Sequence, residues 1–341
     1  MRRRPRRRWK IGSRGEFERI AQFLKPFKRG RGVVVGPGDD CAVLKPSRQE
    51  LCVTTDQVVQ GVHFLRPGFS WEEIGYKALA VNLSDLAAMG AAPRWFVCAL
   101  ACPKDLPDAA VPKMARGMAG LATQAKIALV GGNFTSASEL SLTLTVAGEV
   151  PKGRALLRSG GRSGDLLYVS GWLGDARLGL HLLQHASAAS PRGAYAEAIR
   201  RQKRPVPRLA LGRLARRFAS AAIDLSDGLS QDLGHLCKLS GVGADLHLEA
   251  LPRSPALRAA ALEDASVLGY PLFGGEDYEL LLAVPPARAR AFERACAKGG
   301  HPLFQVGALF RGRGVFGVDA LGARHPLRGG FDHFAPAASS R

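Results

Sequence analysis

Apolar and polar residues alternate along the first half of the chain in short periods that predict helices and strands. Helical spacing of apolar residues predicts a helix over "GEFERIAQFL" (15–24). A longer helix is predicted over 70–90, because Ser70 and Glu73 form a capping box and Gly90 ends the pattern. Strict alternation in "LSLTLTVAGEV" (140–150) predicts a strand. Runs between turn residues predict four more strands and one more helix: strands at 33–36, 41–44, 50–56 and 94–102, and a helix at 109–125.

A stretch rich in Gly, Arg and Ser near residue 150, "VPKGRALLRSGGRSGD", marks a predicted domain boundary. A second alternating set of elements follows it: strands at 165–171, 221–226, 244–248 and 278–285, and helices at 176–184, 207–219, 228–241 and 287–300. The length of 341 residues suits two domains. We therefore predict an α/β (α+β) protein with a basic tail at 1–14, an N-terminal domain at 15–150 and a C-terminal domain at 151–341.

Composition excludes a membrane span and favours a cytoplasmic protein. Hydrophobic residues make up 46% and charged residues 23%, which are ordinary globular values. No run approaches the ~18 consecutive apolar residues of a transmembrane helix. The six cysteines contain no CxxC pair, so we expect reduced thiols rather than a zinc site.

The net charge of +19 is partly local, because "MRRRPRRRWKIGSR" (1–14) is rich in Arg. An Arg block with no apolar segment behind it is not a secretory signal. It could contact nucleic acid or acidic lipid nonspecifically. The favoured interpretation is a disordered tail or a start codon placed too early, so we expect no specific nucleic-acid partner and no membrane partner.

Acidic residues stand at the ends of predicted elements, where α/β proteins build their sites. They are Asp39 and Asp40 in a Gly-rich loop, Asp56 at a strand end, Asp85 in the helix over 70–90, Asp224 and Asp227 in "DLSDG", and Glu276 and Asp277 in "GGEDYEL". Each has a simpler explanation when it is taken alone. Asp227 could be only a helix N-cap, and Asp39 and Asp40 could be solvated turn residues.

If these carboxylates lie close together in the fold, their mutual repulsion favours binding of a cation between them. Two carboxylates ~4 Å apart repel by about 4 kcal/mol at an effective dielectric constant near 20. Hard oxygen ligands with few His or Cys nearby favour Mg²⁺, which usually arrives with phosphates. The chain has no P-loop, no protein-kinase motifs and no GxSxG elbow. We therefore expect ATP-dependent phosphoryl transfer that relies on metal ions and Gly-rich backbone, with no protein nucleophile.

Six motifs, in this order, resemble the thiamine-monophosphate kinase family: "GPGDDCAVL", "TTDQVVQGVHF", "KALAVNLSDLAAMGAAP", "DLSDGLSQDLGH", "GGEDYEL" and "GGFDHF". The match runs from about Gly15 to Phe334. "NLSDLAAMG" and "DLSDGL" occur more widely, in the ATP-binding superfamily that includes aminoimidazole ribonucleotide synthetase and selenophosphate synthetase. The resemblance implies that superfamily's fold, with the N-terminal domain forming a homodimer interface. It also implies direct transfer of the γ-phosphoryl group of ATP to thiamine monophosphate, assisted by several Mg²⁺ ions.

The resemblance carries three groups of functional positions onto this chain. The metal positions are Asp40, Thr54, Thr55, Asp56, Asp85, Asn133, Asp224 and Asp227. The nucleotide positions are the Gly131–Gly132 turn, Arg158 and Ser226. The positions on the thiamine side are His63, Glu276 and Phe331, where an aromatic face could stack on a cationic heterocycle. Asp39 is expected to be an outer ligand or a turn residue.

One motif departs from the family pattern. In "VGGNFTSASEL" the family usually has Asp where this chain has Asn133, and often has Arg at the position of Ser136. An Asn side chain can still ligate Mg²⁺ through its oxygen, but it brings no charge, so we expect one weakened metal site. Three alternatives stay open beside the kinase: another ATP-dependent enzyme of the superfamily with a different small substrate, a catalytically impaired protein that binds thiamine phosphate or nucleotide, and a basic nucleic-acid-binding module.

Overall fold

The structure is a computed structural model, and it describes residues 16–28, 30–37, 41–66, 68–185 and 193–331. Asp39, Asp40 and the predicted basic tail therefore lie outside the described residues. The chain divides into two compact units. The first unit comprises Met1–Arg48, Val53–Asn82 and Pro93–Gly148, and the second comprises Gln49–Cys52, Leu83–Ala92 and Glu149–Arg341. The predicted domain boundary between residues 150 and 151 stays a prediction.

The first unit is built on a four-stranded sheet. Its helices are α1 (Glu16–Leu24), α2 (Trp71–Ala88, whose end belongs to the second unit) and α3 (Ala110–Ala125). Its strands are β1 (Val33–Val35), β2 (Val43–Leu44), β3 (Glu50–Val59), β4 (Ala92–Cys102), β5 (Ala128–Ser136) and β6 (Ser141–Val150). The sheet has the order β3-β6-β4-β5, and β1 and β2 form a separate antiparallel pair.

The predicted start of α2 is confirmed in detail. The N–H of Ser70 donates to the Glu73 carboxylate over 2.7 Å, and the N–H of Glu73 donates to Ser70 Oγ over 3.2 Å. This reciprocal pair satisfies two helix donors that would otherwise lack partners. Farther along, α2 packs closely on α3, because a Cβ added to Gly75 would lie only 1.9 Å from the carbonyl oxygen of Met114.

The prediction of a turn at Gly131–Gly132 is wrong, because both glycines lie inside β5, which pairs in parallel with β4. The register places Gly132 beside Cys98, and a Cβ on Gly132 would lie 2.1 Å from the Cys98 carbonyl oxygen. The glycine is therefore needed for close approach of two strands. The register also shifts between Phe96 and Val97, so the pairing is irregular just before the glycines.

The second unit contains a seven-stranded sheet. Its strands are β7 (Leu166–Val169), β8 (Ala221–Asp224), β9 (Gly243–His247), β10 (Leu280–Val284), β11 (Phe304–Phe310), β12 (Val315–Val318) and β13 (Arg324–Pro326). They lie in the order β13-β12-β9-β11-β7-β10-β8. Its helices are α4 (Asp175–His185), α5 (Ala194–Lys203), α6 (Leu209–Ala215), α7 (Leu229–Ser240), α8 (Pro255–Glu263), α9 (Tyr270–Phe273) and α10 (Pro286–Lys298).

The burial of strand β10 shows that this sheet is covered on both faces. All five of its residues are buried. Leu281 packs in a core with α7, whereas its neighbours Leu280 and Leu282 pack in a second core with α6 and α10. Because successive side chains of a strand point to opposite faces, the run "LLLAV" is apolar throughout. The predicted class, mixed α/β, is confirmed.

Two general expectations can be compared with the structure. All six cysteines are free thiols, and Cys98 and Cys102 are buried on one face of β4. Of the helices in the described ranges, none is long and apolar enough to cross a membrane.

Candidate active site

In the second unit, the end of α2 meets the end of β8. The Ser84 hydroxyl donates to Asp224 Oδ2 over 2.8 Å, and both side chains are buried. Burial raises the pKa of Asp224 well above its ordinary value, and the negative charge of the neighbouring Asp85 raises it further. Two predicted metal positions, Asp85 and Asp224, are therefore close enough to repel each other. A bound cation would relieve that repulsion.

The loop after β8 adds a second pair of carboxyl groups. The N–H of Asp227 donates to Asp232 Oδ2 over 3.0 Å, and Asp232 is buried. Burial raises the pKa of Asp232 to about 7, with the Asp227 charge adding to the rise. The guanidinium of Arg158 lies near enough to oppose the rise at both Asp224 and Asp232. The interpretation of Asp227 as only a helix N-cap is wrong, because Gly228 holds that position in α7.

The "GGEDYEL" segment is hydrogen-bonded directly to the "DLSDG" loop. The N–H of Glu276 donates to the carbonyl oxygen of Ser226 over 2.7 Å, and the N–H of Tyr278 donates to that of Leu225 over 2.8 Å. Glu276 and Tyr278 have φ values of 71° and 50°, a left-handed conformation that is rare for residues other than glycine. The segment holds this strained backbone at a predicted substrate position, as functional sites often do.

A buried ion cluster anchors the same segment from behind. Glu279 accepts a 2.5 Å hydrogen bond from the Ser170 hydroxyl and two hydrogen bonds from the Arg208 guanidinium, one of them from Nε over 2.6 Å. Arg201 Nη1 lies 3.3 Å from the same carboxylate. Because a buried carboxylate is tolerated only when it is paired, these contacts fix where the segment enters β10.

Phe331 is tied to the same loop. Its N–H donates to the Asp227 carbonyl oxygen over 2.9 Å, and its own carbonyl oxygen accepts from Gln231 Nε2 over 3.0 Å. Phe331 is 48% exposed. An exposed aromatic ring held beside Asp227 is a suitable platform for a flat, cationic ring. The second unit thus brings together seven predicted site residues: Asp85, Arg158, Asp224, Ser226, Asp227, Glu276 and Phe331.

In the first unit, His63 follows β3 in a turn that fixes its tautomer. The N–H of Val59 donates to His63 Nδ1 over 3.2 Å, so the neutral ring carries its proton on Nε2. The buried Lys77 ammonium donates to the His63 carbonyl oxygen over 2.9 Å. With Nδ1 accepting, Nε2 is the donor atom of the neutral His63 ring.

Strand β3 separates the three predicted metal positions of "TTD". Thr54 and Asp56 share one face of the strand, whereas Thr55 points to the other face. The Thr55 hydroxyl donates to the Leu144 carbonyl oxygen over 3.0 Å and accepts from Thr145 over 3.2 Å. The Thr55 side chain thus bonds within the sheet, and Thr54 and Asp56 are the two that share the other face of the strand.

Asn133 lies on the opposite edge of the sheet from Asp56. It is exposed on β5, which is separated from β3 by β6 and β4. Neighbouring strands of a sheet lie ~4.8 Å apart, so the three spacings between β3 and β5 separate the two edges by about 14 Å. Two ligands of one Mg²⁺ lie within about 4 Å of each other, given bonds of ~2.1 Å. Within one copy of the chain, Asp56 and Asn133 therefore do not hold the same ion.

A cavity of about 550 Å³ lies next to the glycines of β5 in the first unit. Helix α1 covers it with apolar side chains, and Cys98 and Leu100 of β4 line it from the sheet. Gly131, Gly132 and Asn133 border it. An apolar cavity of this size with exposed backbone can enclose a purine ring.

The donor set of the second unit fits Mg²⁺. Asp85 and Asp224 are hard oxygen donors that repel each other, and Mg²⁺ typically uses one or two carboxylates and keeps several waters. Within the described ranges, which leave out Asp39 and Asp40, no group of three or more His, Cys, Asp or Glu side chains is arranged to hold a metal ion.

Several site residues were missed by the sequence analysis. Asp232 stood inside a quoted motif, but nothing in the motif indicated that it would accept from the Asp227 N–H. Gln202 and Arg208 lie outside every motif, and they reach Glu276 and Glu279 only through the tertiary fold. A run of basic and polar residues, "RRQKRPVPR" (200–208), was their only signal.

Comparisons with known proteins agree with this fold. Residues 38–150 match the family model "AIR synthase related protein, N-terminal domain", and residues 162–319 match "AIR synthase related protein, C-terminal domain". The fold and site therefore define an AIR synthase-related protein. The chain is 41% identical over 326 residues to a thiamine-monophosphate kinase of Salmonella typhimurium strain LT2, covering 94% of this chain and 98% of that protein. The chain belongs to the thiamine-monophosphate kinase family.

Solved structures support the same family. The thiamine-monophosphate kinase of Stenotrophomonas maltophilia K279a is 38% identical, with a TM-score of 0.79 and coverage of 88% of this chain and 94% of that one. A structure of AaThiL complexed with AMPPCP and TMP is 33% identical, with a TM-score of 0.77 and coverage of 94% and 97%. These relatives do not favour the alternative of a different superfamily enzyme.

Proposed function

We propose that the protein transfers the γ-phosphoryl group of ATP to the phosphate of thiamine monophosphate, giving thiamine diphosphate and ADP. The bond between the γ-phosphorus and its bridging oxygen breaks as an oxygen of the acceptor phosphate bonds to that phosphorus. Such transfer depends on positioning and charge stabilisation, so no protein nucleophile is needed. The relatives at 36–41% identity, all thiamine-monophosphate kinases, support this activity.

The observation that carries the proposal is the 2.7 Å hydrogen bond from the N–H of Glu276 to the carbonyl oxygen of Ser226. Ser226 is a predicted nucleotide position and Glu276 a predicted substrate position. The bond puts the two loops side by side, so that two phosphorylated molecules can meet between them. Arg158 lies near Asp224 and Asp232, and it would pair with the phosphates of ATP.

Asp85, Asp224 and Asp227 would hold Mg²⁺ in the second unit. In the first unit, Thr54 and Asp56 would hold Mg²⁺ at one edge of the sheet and Asn133 at the other, and Asp40 would contribute a further carboxylate. The ions would neutralise charge on the phosphates of both substrates. His63, with its Nε2 proton, would donate to the acceptor molecule. The 550 Å³ cavity beside Gly131 would enclose the adenine.

We also propose a homodimer formed through the sheet of the first unit. Leu51 and Val53 on the edge strand β3 are 53% and 56% exposed, although both are large and apolar. Pairing of this edge with the β5 edge of a second copy would cover them and would bring Asp56 of one copy to Asn133 of the other. Double substitution of Leu51 and Val53 by Lys should yield monomers in sedimentation analysis. A dimer that persists would contradict this interface.

The free cysteines support a reducing compartment, and we infer the cytoplasm.

The activity is tested by separating the products chromatographically after incubation with ATP and Mg²⁺. Thiamine monophosphate is expected to give thiamine diphosphate. Unphosphorylated thiamine, the matched control acceptor, is expected to give no product, because the acceptor group is its phosphate. Equal turnover of both acceptors, or of neither, would contradict the proposal.

A further inference from the structure

The last turn of α5 holds two glutamates of the "GGEDYEL" segment with two consecutive residues. Gln202 Nε2 donates to Glu276 Oε2 over 2.5 Å, and Arg201 Nη1 lies 3.3 Å from Glu279 Oε1. Gln202 is only 1% exposed. A long polar side chain is rarely buried to this degree unless its contact is needed, so the contact between Gln202 and Glu276 has a specific role.

The chemistry of the pair fixes the orientation of the Gln202 amide. The Glu276 carboxylate can only accept, so the amide must present its NH₂ group to it. A flipped amide would place two acceptor oxygens 2.5 Å apart. The main chain of Glu276 is already fixed by its N–H bond to Ser226. The main-chain bond does not set the direction of the Glu276 carboxylate, whereas the bond from Gln202 does.

Close helix packing and two contacts of the neighbouring Arg201 determine where Gln202 lies. A Cβ on Gly179 of α4 would lie 2.2 Å from the Ala198 carbonyl oxygen and 3.0 Å from Gln202 Cβ, so the two helices touch at this point. The guanidinium of Arg201 lies 3.3 Å from Asp175 Oδ2 and stacks over the Trp172 ring at 5.6 Å. These contacts leave the end of α5 little freedom to shift.

We propose that Gln202 is a positioning residue on the substrate side of the site: it aims the Glu276 carboxylate at the cationic heterocycle of the acceptor. This inference rests on the proposed function, in which the acceptor is thiamine monophosphate. Gln202 contacts Glu276, which the proposed function assigns to the thiamine side, rather than a residue assigned to the phosphates. Its loss should therefore weaken acceptor binding alone.

The test replaces Gln202 by Met, which keeps the length of the side chain and removes its donor. We expect Gln202→Met to raise KM for thiamine monophosphate by about tenfold or more, the size expected for a lost hydrogen bond to a charged group. Calorimetry should give a matching loss of affinity for thiamine monophosphate without ATP. The values of kcat and of KM for ATP should stay within about twofold. Gln184→Met, an exposed site on α4, is the matched control and should change neither KM.

Two further variants separate positioning from a structural role. Gln202→His keeps a ring N–H donor and should recover a large part of the affinity. Gln202→Glu keeps the shape but sets two carboxylates against each other, so it should raise KM for thiamine monophosphate at least as much as Gln202→Met does, with kcat nearly unchanged. This variant also serves if Gln202→Met does not fold.

The outcomes distinguish failure of the proposed role of Gln202 from failure of the proposed kinase activity. If the unmodified protein makes no thiamine diphosphate, the proposed function fails. If it makes thiamine diphosphate and the Met and Glu variants keep an unchanged KM for thiamine monophosphate, the inference is overturned while the function stands. Equal losses in kcat and in both KM values would also overturn it, because they indicate general damage to the site.

Discussion

The hydroxyl of Ser84 donates a 2.8 Å hydrogen bond to the Asp224 carboxylate and so joins residues 140 positions apart in the chain. One partner lies in "NLSDLAAMG" and the other begins "DLSDG". The hydrogen bond brings Asp85 beside Asp224, so the pair of acids assembles only when the second unit is folded. The two motifs therefore meet at one place in the second unit.

Ser84→Ala is expected to destabilise the protein by about 1–3 kcal/mol, because it leaves the buried Asp224 carboxyl without its hydroxyl donor. Urea unfolding without Mg²⁺ measures this free energy. Ser163→Ala, at an exposed position of the same unit, is the control and should be neutral. Equal unfolding midpoints for both variants would show that the hydrogen bond contributes nothing to stability.

Gly132→Ala is expected to destabilise the first unit, because its Cβ would lie 2.1 Å from the Cys98 carbonyl oxygen. The two strands would have to separate, and overpacking of this kind costs about 1–3 kcal/mol. Gly131→Ala is the matched control, since its Cβ would meet only Val97 at 3.6 Å, an ordinary contact. Thermal unfolding of the two variants side by side checks the prediction. A Gly131 variant as unstable as the Gly132 variant would contradict the role of close approach.

The sequence predicted elements well where local signals were strong. The capping box of Ser70 and Glu73 located α2, and strict alternation located β6. It missed β5, because two adjacent glycines have low strand propensity and only the neighbouring strand β4 reveals why they are there. It also missed α5, whose "AYAEAIRRQK" is too polar to show a helical apolar stripe. It also missed strands β11, β12 and β13. Strands β11 and β12 pair with strands that are distant in the chain, and β13 has only three residues and pairs only with β12.

The candidate site could be predicted only in part for a similar reason. Motifs point to residues such as Asp224 and Glu276, to which the proposed function assigns metal and substrate binding. The residues that hold them, such as Gln202 and Arg208, come from other elements, and no local pattern marks them. Nor could the sequence reveal that Asp56 and Asn133 lie on opposite edges of one sheet, because strand order is a property of the tertiary fold.

Asn133→Asp is expected to lower the Mg²⁺ concentration needed for half-maximal activity by about tenfold, because a carboxylate adds a charged ligand where the amide has none. Asn133 is exposed on β5, so stability should not change. The measurement is the initial rate as a function of Mg²⁺ concentration. Thr135→Asp adds the same charge on the same exposed edge and should leave the Mg²⁺ dependence as it was. If both variants respond alike, Asn133 is not a ligand.

Asp277 should make stability depend on pH. Burial raises its pKa from the ordinary 3.8 to about 8, although the N–H groups of Gly174 and Ala176 donate to it over 2.7 and 3.2 Å and oppose the rise. Between those two values the folded protein holds a proton that the unfolded chain has lost. The contribution of Asp277 to the free energy of unfolding is therefore fully present below about pH 4 and is lost as the pH rises through about 8.

Asp277→Asn cannot ionise, so its stability should fall less steeply across that window, by up to about 1.4 kcal/mol per pH unit. Urea unfolding of both proteins at several pH values from about 4.5 to 8 measures the difference. Parallel curves for the two proteins would mean that Asp277 is ionised throughout and is held by its two N–H donors.

The most direct test of the central claim follows the γ-phosphoryl group itself. ATP labelled with radioactive phosphorus at the γ position is mixed with the protein, thiamine monophosphate and Mg²⁺ for a single turnover. The account predicts that the label appears in thiamine diphosphate, one equivalent for each ADP formed, and that EDTA or Asp56→Ala prevents this. Label released only as inorganic phosphate, or ATP that stays intact, would contradict transfer to thiamine monophosphate.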